Sequence, residues 1–263
     1  MDAKEYLEQY YSQYDEDNRL RSKHGYVEFH TTMRFIEKYI KPGDRVLEIG
    51  AGTGRYSHAL ARHGYRVDAV ELVQHNIEIF QQNTQPGENV TIMQGNALDL
   101  SAFPNDTYEI TLLLGPMYHL FSVEDQKQAL REALRVTKPG GVVYAAYCGN
   151  DATIVQYCFQ RGMFKEPKYQ ALIDPVTFKA GSSFAEIFVL YRKEDIDALM
   201  ESMPAERLHF VGTDMAANYI RETVDAMDDE MYARFLKYHD AICERPDMVG
   251  VSHHFLDVFR KKA

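Results

Sequence analysis

The run Val46-Leu47-Glu48-Ile49-Gly50-Ala51-Gly52-Thr53-Gly54 decides how the rest of the chain reads. Arg45 to Ile49 is a short apolar stretch that predicts a strand, and three glycines at alternate positions predict a tight turn. Tyr56 and Leu60 then fall on one side of a helix. A glycine-rich turn between a first strand and its helix suits a nucleotide-like ligand, because the missing side chains let backbone N–H groups come close. Spacing narrows the ligand. A dinucleotide fingerprint needs Gly-x-Gly-x-x-Gly, and Arg55 stands where its third glycine belongs. No Gly-Lys-Ser/Thr follows, which excludes a triphosphate loop.

Outward from the turn, strand and helix alternate. Further strands are predicted at Arg66–Val70 ending on Glu71, at Val90–Met93, at the almost wholly apolar Tyr108–Leu114, and at Val142–Ala146. Helices carrying Ile77 and Phe80, then Leu130, Ala133 and Leu134, separate them, the last closed by Lys138-Pro139-Gly140-Gly141. Five such alternations imply an α/β fold with a parallel sheet covered by helices on both faces. Before the first strand, Tyr6, Tyr10 and Tyr14 share a helical face with Leu7 and Tyr11 beside them, and Phe29, Met33, Ile36 and Ile40 mark a second helix. Beyond Tyr147 the rhythm changes. Residues 151–192 have many aromatics and no period; a helix near Ile196, a strand at Leu208–Val211, a helical stretch at 214–247 and a closing strand at His254–Phe259 follow.

At this point the chain resembles the class I S-adenosylmethionine-dependent methyltransferases. The likeness rests on the glycine turn, Glu71 at the second strand end, Gly95-Asn96-Ala97 after the third strand, Leu114-Gly115-Pro116 after the fourth, and Lys138-Pro139-Gly140-Gly141 before the fifth. It spans roughly residues 40–150. It implies a Rossmann-like, doubly wound, seven-stranded, mostly parallel sheet whose last strand is antiparallel. One domain is expected over 1–263: an N-terminal helical lid at 1–41, a cofactor-binding core at 42–150, and cap insertions plus closing strands at 151–263. S-adenosylmethionine is the implied cofactor. Its ribose is assigned to Glu71, beside Leu72, and its methionine end to Glu48, Leu114 and Gly115. Asn96 and Ala97 frame the adenine, although many relatives carry Asp in place of Asn96. Gly50, Ala51, Gly52 and Gly54 form the cradle, and Tyr56 lines the methionine pocket or packs in the core.

No catalytic dyad stands out, since methyl transfer from a sulfonium is largely a matter of alignment. Tyr118 and His119 are the candidates for proton transfer, with helix-start packing as the competing reading for His119. In the pair His253-His254, strand alternation is expected to part the side chains, leaving at most one toward the cleft. His30 and His239 read as surface or packing residues. The tyrosine-bearing leader, with Arg19 and Arg21 behind it, reads as a packing face or a lid. Phe164, Tyr169, Phe178, Phe184 and Phe188 read as extra core or as the wall of an apolar acceptor pocket.

Composition bounds the partners. The 263 residues carry a formal net charge of -10, which disfavours bulk nucleic acid. Cys148, Cys158 and Cys243 form no pair of metal-ligand spacing, so no metal is expected. No apolar signal core or membrane span is legible, so a cytoplasmic monomer or homodimer acting on a small-molecule acceptor is the expectation. The alternatives are an RNA or protein methyltransferase, a non-catalytic S-adenosylmethionine-binding protein and, more remotely, an NAD-dependent dehydrogenase.

Overall fold

The computed structural model describes residues 3–183 and 188–263, so Phe184 lies outside the described residues. The chain opens with α1 (Ala3–Tyr11) and α2 (Lys23–Glu37), the latter capped by Ser22, whose side chain accepts from the Gly25 N–H. The alternating core follows: β1 (Arg45–Ile49), α3 (Arg55–Arg62), β2 (Arg66–Glu71), α4 (Gln74–Asn83), β3 (Val90–Gln94), β4 (Tyr108–Leu113), α5 (Val123–Val136) and β5 (Thr137–Gly149). The remainder comprises α6 (Asn150–Thr153), a π-helical stretch at Ile154–Gln160, α7 (Pro167–Leu172), β6 (Leu190–Tyr191), α8 (Lys193–Met200) and β7 (Ala205–Gly212). Helices α9 (Ala216–Tyr219), α10 (Arg221–Asp225) and α11 (Asp229–Ile242) lead to β8 (His254–Lys261).

The strands form one sheet in the order β3-β2-β1-β4-β5-β8-β7, with the two-residue β6 added beside β5. Strands β1 to β5 are parallel. β8 runs antiparallel to both β5 and β7, which restores β7 to the common direction. The expected seven strands are therefore present, and β6 is an eighth short one.

Alternation along the strands divides the core into two layers. Leu47, Ile49, Leu113, Val143 and Phe259 pack under α5 and α8, while Val46, Ile110, Leu112, Tyr144 and Val258 pack under α2 and α3. Glu48 belongs by register to the second layer. β5 is longer than the apolar run suggests. Tyr108 pairs with Thr137 and Ile110 with Val142, so Lys138-Pro139-Gly140-Gly141 bulges within a continuing strand instead of preceding it.

The turn after β1 explains two glycines. At Gly50 (φ +74°) a Cβ would meet Pro116 Cδ at 2.6 Å, so the turn lies against the segment leaving β4. At Gly54 (φ +90°) a Cβ would lie 2.5 Å from His58 Nε2 and 2.6 Å from Phe80 Cδ2. Left-handed backbone and buried crowding act together there. Gly54→Ala should lower unfolding free energy by about 2–4 kcal/mol, read by chemical denaturation; a loss below about 1 kcal/mol would show that the turn relaxes freely.

Candidate functional site

A cavity of about 520 Å³ opens at the carboxyl ends of β1, β2 and β4. Such a position, outside the strand ends where the order reverses about β1 and β4, is where open α/β sheets bind ligands. Of the twelve residues assigned from the sequence, Glu48, Gly50, Ala51, Gly52, Tyr56, Glu71, Leu72, Asn96, Ala97, Leu114 and Gly115 line it. Gly54 is not in the wall; it stands behind the turn against His58 and Phe80.

Glu71 organises the floor. It is 6% exposed, and its two oxygens accept the N–H of Gly52 at 2.8 Å and of Val73 at 2.9 Å. Burial raises its acidity range upward and outweighs these donors and the Asn76 side chain, which oppose the shift. Asn76 is itself buried, lines the cavity, and its Oδ1 has no hydrogen-bond partner among the described residues. Glu48 is 1% exposed and accepts from the Ser57 hydroxyl. Burial pushes its carboxyl up to about 8; the Ser57 hydrogen bond opposes this and the charge of Glu71 adds to it. Two acids thus face one cavity. Asn96 lies exposed at the opposite rim, its Oδ1 accepting the Leu98 N–H at 3.0 Å, while Tyr118 Oη donates to the Leu114 carbonyl at 3.1 Å. Tyr56 packs on Phe29 with ring centroids 5.1 Å apart, so it serves core and wall together.

The N-terminal segment closes the other side. Lys4, Leu7, Tyr11, Glu16, Arg19 and Leu20 all line the cavity. Leu7 packs with Val73, Leu72 and Phe188, Glu8 accepts from the Gln74 N–H at 3.1 Å, and Asn83 Nδ2 donates to Asp17 at 2.7 Å. Among these wall residues, sequence reasoning singled out only the tyrosine stripe and Arg19. Polar helix residues such as Lys4 and Glu16 carry no local signal, since their placement depends on tertiary docking. Arg19 binds neither open solvent nor an empty pocket: its guanidinium holds Glu16 at 2.9 Å and Glu28 at 2.8 and 3.2 Å. Arg21 pairs with Asp17.

His119 lines the cavity, and its Nε2 is 2.9 Å from Tyr11 Oη. Tyr118, His119 and Phe188 pack as neighbouring rings, and Phe188 also meets Tyr10. Phe164 packs instead against Phe159 and Phe178. His30 pairs with Asp240, and His239 is buried, its imidazole pushed down to about 4 by burial.

The histidine pair departs from expectation. His253 precedes β8 by one residue, so strand alternation does not govern it, and the two rings lie 5.3 Å apart. Glu28, Asp214 and His254 bring possible metal-ligating atoms within 4.8 Å of one another. Their charge is already met by Arg19 on Glu28 and by the donors around Asp214. Among the described residues no helix is long and apolar enough to cross a membrane.

A glycine turn clipped to an acid at the next strand end, over a parallel sheet with a final antiparallel strand, is the arrangement that the resemblance in sequence implies. The comparisons with known proteins agree. Residues 46–141 match the methyltransferase domain family. A demethylmenaquinone methyltransferase of Lysinibacillus sphaericus is 33% identical over 108 residues, 40% of this chain and 44% of that protein. An S-adenosyl-L-methionine-dependent Diels-Alderase of Talaromyces variabilis is 33% identical over 103 residues, 38% of this chain and 34% of that protein. The match thus spans less than half the length of either relative. In structure, a Thermotoga maritima protein described as an S-adenosylmethionine-dependent methyltransferase, possibly acting on histamine, superposes with a TM-score of 0.62. It is 17% identical, and the match covers 98% of this chain and 99% of that one, a likeness of fold. Over residues 46–141 the chain is thus similar to methyltransferase domains, and its sheet has the fold of the solved methyltransferase structure.

The buried acid gives a pH test. Glu48 titrates near 8 in the folded chain and near its ordinary 4.5 when unfolded. Between those values the folded state holds a proton that the unfolded state has released, so this residue lowers stability as pH rises. The melting temperature of Glu48→Gln should gain on the parent protein as pH is raised from 5 to 8; a difference independent of pH would contradict the assignment.

Proposed function

We propose that the chain transfers the methyl group of S-adenosylmethionine to a small-molecule acceptor. One observation supports this above the others: the glycine turn, Glu71, Asn76 and the Leu114–Pro116 segment converge on a single cavity that residues 4–20 enclose. Its volume of about 520 Å³ lies in the range of small-molecule sites. The Asn76 Oδ1, without a partner among the described residues, is a feature that a bound nucleoside satisfies.

In this reading each Glu71 oxygen, holding one backbone N–H, keeps a second lone pair for a ribose hydroxyl. Asn96 and Ala97 frame the adenine. Glu48 and the carbonyls of Leu114 and Gly115 receive the methionine ammonium, whose charge draws the proton off Glu48. The bound sulfonium supplies the methyl group and its own leaving group. What the chain adds is alignment and exclusion of water by the segment over the cavity. Residues 42–150 form the ligand-holding core, 1–41 the lid and 151–263 the cap with closing strands. An enclosed cleft favours a small acceptor over a folded macromolecule, and the bacterial relatives' names make a demethylmenaquinone-type compound the first to assay. The Diels-Alderase relative supports a second reading, in which the bound nucleoside has no methyl-transfer role.

Calorimetry should show binding of S-adenosylmethionine and S-adenosylhomocysteine and none of NAD; the reverse order would remove the proposal. Glu71→Ala should weaken both by about 1–3 kcal/mol, and unchanged affinity would mean that the ribose lies elsewhere. Incubation of metabolite pools with methyl-labelled donor separates the two readings: label appears in a small molecule in the first and in none in the second.

A further inference from the structure

The densest cluster of charge beside the cavity lies along the same sheet edge. β8 enters the sheet next to the end of β5, with His254 paired to Cys148, three residues beyond the Ala145 that faces Leu113 of β4. His254 Nδ1 lies 2.6 Å from Asp214 Oδ2 and 3.3 Å from Glu28 Oε2. Asp214 is 1% exposed and cannot swing. Its Oδ1 accepts from Ser252 Oγ at 2.7 Å and from the N–H groups of His253 and His254 at 2.9 and 3.1 Å, while Asn218 donates to Oδ2. The imidazole is therefore aimed. Yet 23% of its side chain is accessible, and Glu28 is shared with Arg19, which reaches the cavity wall. Tyr118, which lines the cavity, lies 5.7 Å from the Phe188 ring, and Tyr157 packs on His253 at 5.9 Å.

A carboxylate–imidazole pair with an accessible ring, at the substrate end of the sheet, is suited to moving a proton. Building on the methyl-transfer reading above, we propose that His254, oriented by Asp214, takes the proton of the methyl acceptor, and that the acceptor is an aromatic or enolic hydroxyl. The acceptor's O–H proton passes to Nε2, the nitrogen not engaged by Asp214. The oxygen electron pair so released forms the bond to the methyl carbon. The carbon–sulfur bond breaks, its pair stays on sulfur and cancels the positive charge, and His254 returns the proton to solvent. A neutral amine attacks without prior loss of a proton, whereas a hydroxyl at neutral pH gains most from a base. Flanking aromatic rings suit a planar acceptor.

The groups facing His254 are Asp214 after β7, Glu28 from α2, Cys148 from β5 and His253 beside it, with Arg19 behind Glu28 and Arg221 acting on His253. Burial opposes the charged imidazole, but Glu28 and then Asp214 overcome it and hold its acidity range well above the ordinary histidine value. Turnover should accordingly rise with pH above neutrality as the ring loses its proton.

The test uses the full chain, methyl-labelled S-adenosylmethionine and four probes: 1,4-naphthalenediol under reducing conditions, 4-nitrophenol, tryptamine and thiophenol. Label is expected in the hydroxyl compounds only. His254→Gln should lose about 10²–10⁴-fold in turnover while S-adenosylhomocysteine affinity stays within about twofold of the parent. Glu28→Gln should move the rising limb of the pH profile to lower pH, and the His254 resonance in carbon-13 histidine NMR should titrate lower to the same extent. Label in tryptamine or thiophenol alone, or in no probe while S-adenosylhomocysteine binds, overturns the proposal; so does parental turnover in His254→Gln. Should His254→Gln fail to fold by circular dichroism, an unshifted profile and resonance in Glu28→Gln overturn it. Failure of the parent protein to bind S-adenosylhomocysteine strikes instead at the methyl-transfer reading.

Discussion

The carboxylate of Glu71 ties two backbone turns together, and the arrangement of the sheet edge follows from that tie. One oxygen holds the Gly52 N–H from the turn after β1, the other holds the Val73 N–H at the start of α4. With the β1 turn so fixed, Gly50 lies hard against Pro116, which sets the exit of β4 and the place of Tyr118 and His119. α1 in turn docks on Val73 and Leu72. A buried acid that satisfies backbone donors on two neighbouring strands thus shapes the cavity before any ligand enters it.

Much of this was legible in the sequence where the signal is local. β1, β2 and β4 are short apolar runs because they are sandwiched between helical layers, whereas β3 is a half-exposed edge strand, and the glycine spacing reports a turn pressed against its neighbours. The length of β5 was not legible, because Lys138-Pro139-Gly140-Gly141 has the composition of a loop and stays in the strand only by bulging between β4 and β8. Nor was the enclosing role of Lys4 and Glu16, or the meeting of Glu28, Asp214 and His254. These residues are brought together by chain segments scores of residues apart, and no periodic pattern encodes such an encounter. His253 shows the limit from the other side: a rule valid within strands was applied one residue before the strand begins.

Electrostatics gives the site its polarity. Glu48 and Glu71 lie buried on one cavity, both with acidity ranges raised by burial, and among the described residues neither has an ion-pair partner. The His254 cluster differs: Arg19 pairs with Glu16 and Glu28, and His254 with Glu28 and Asp214, so each of its carboxylates has a cationic neighbour. A carboxylate shared between two cations couples them, so a change at one is felt at the other.

The N-terminal segment is fastened to the core by Glu8 on the first turn of α4 and by Asp17 on Asn83, and Arg19 ties it to Glu28 of α2. Each contact is modest alone, but all of them hold the same segment against the cavity, so lifting it undoes them in concert. On the methyl-transfer reading, exchange of spent for fresh donor through this side is a conformational step set by contacts distant from the ligand. Because Glu28 holds both Arg19 and His254, parting Arg19 from it leaves a carboxylate beside the imidazole without its guanidinium partner, and the position of the N-terminal segment is thereby felt as charge at His254.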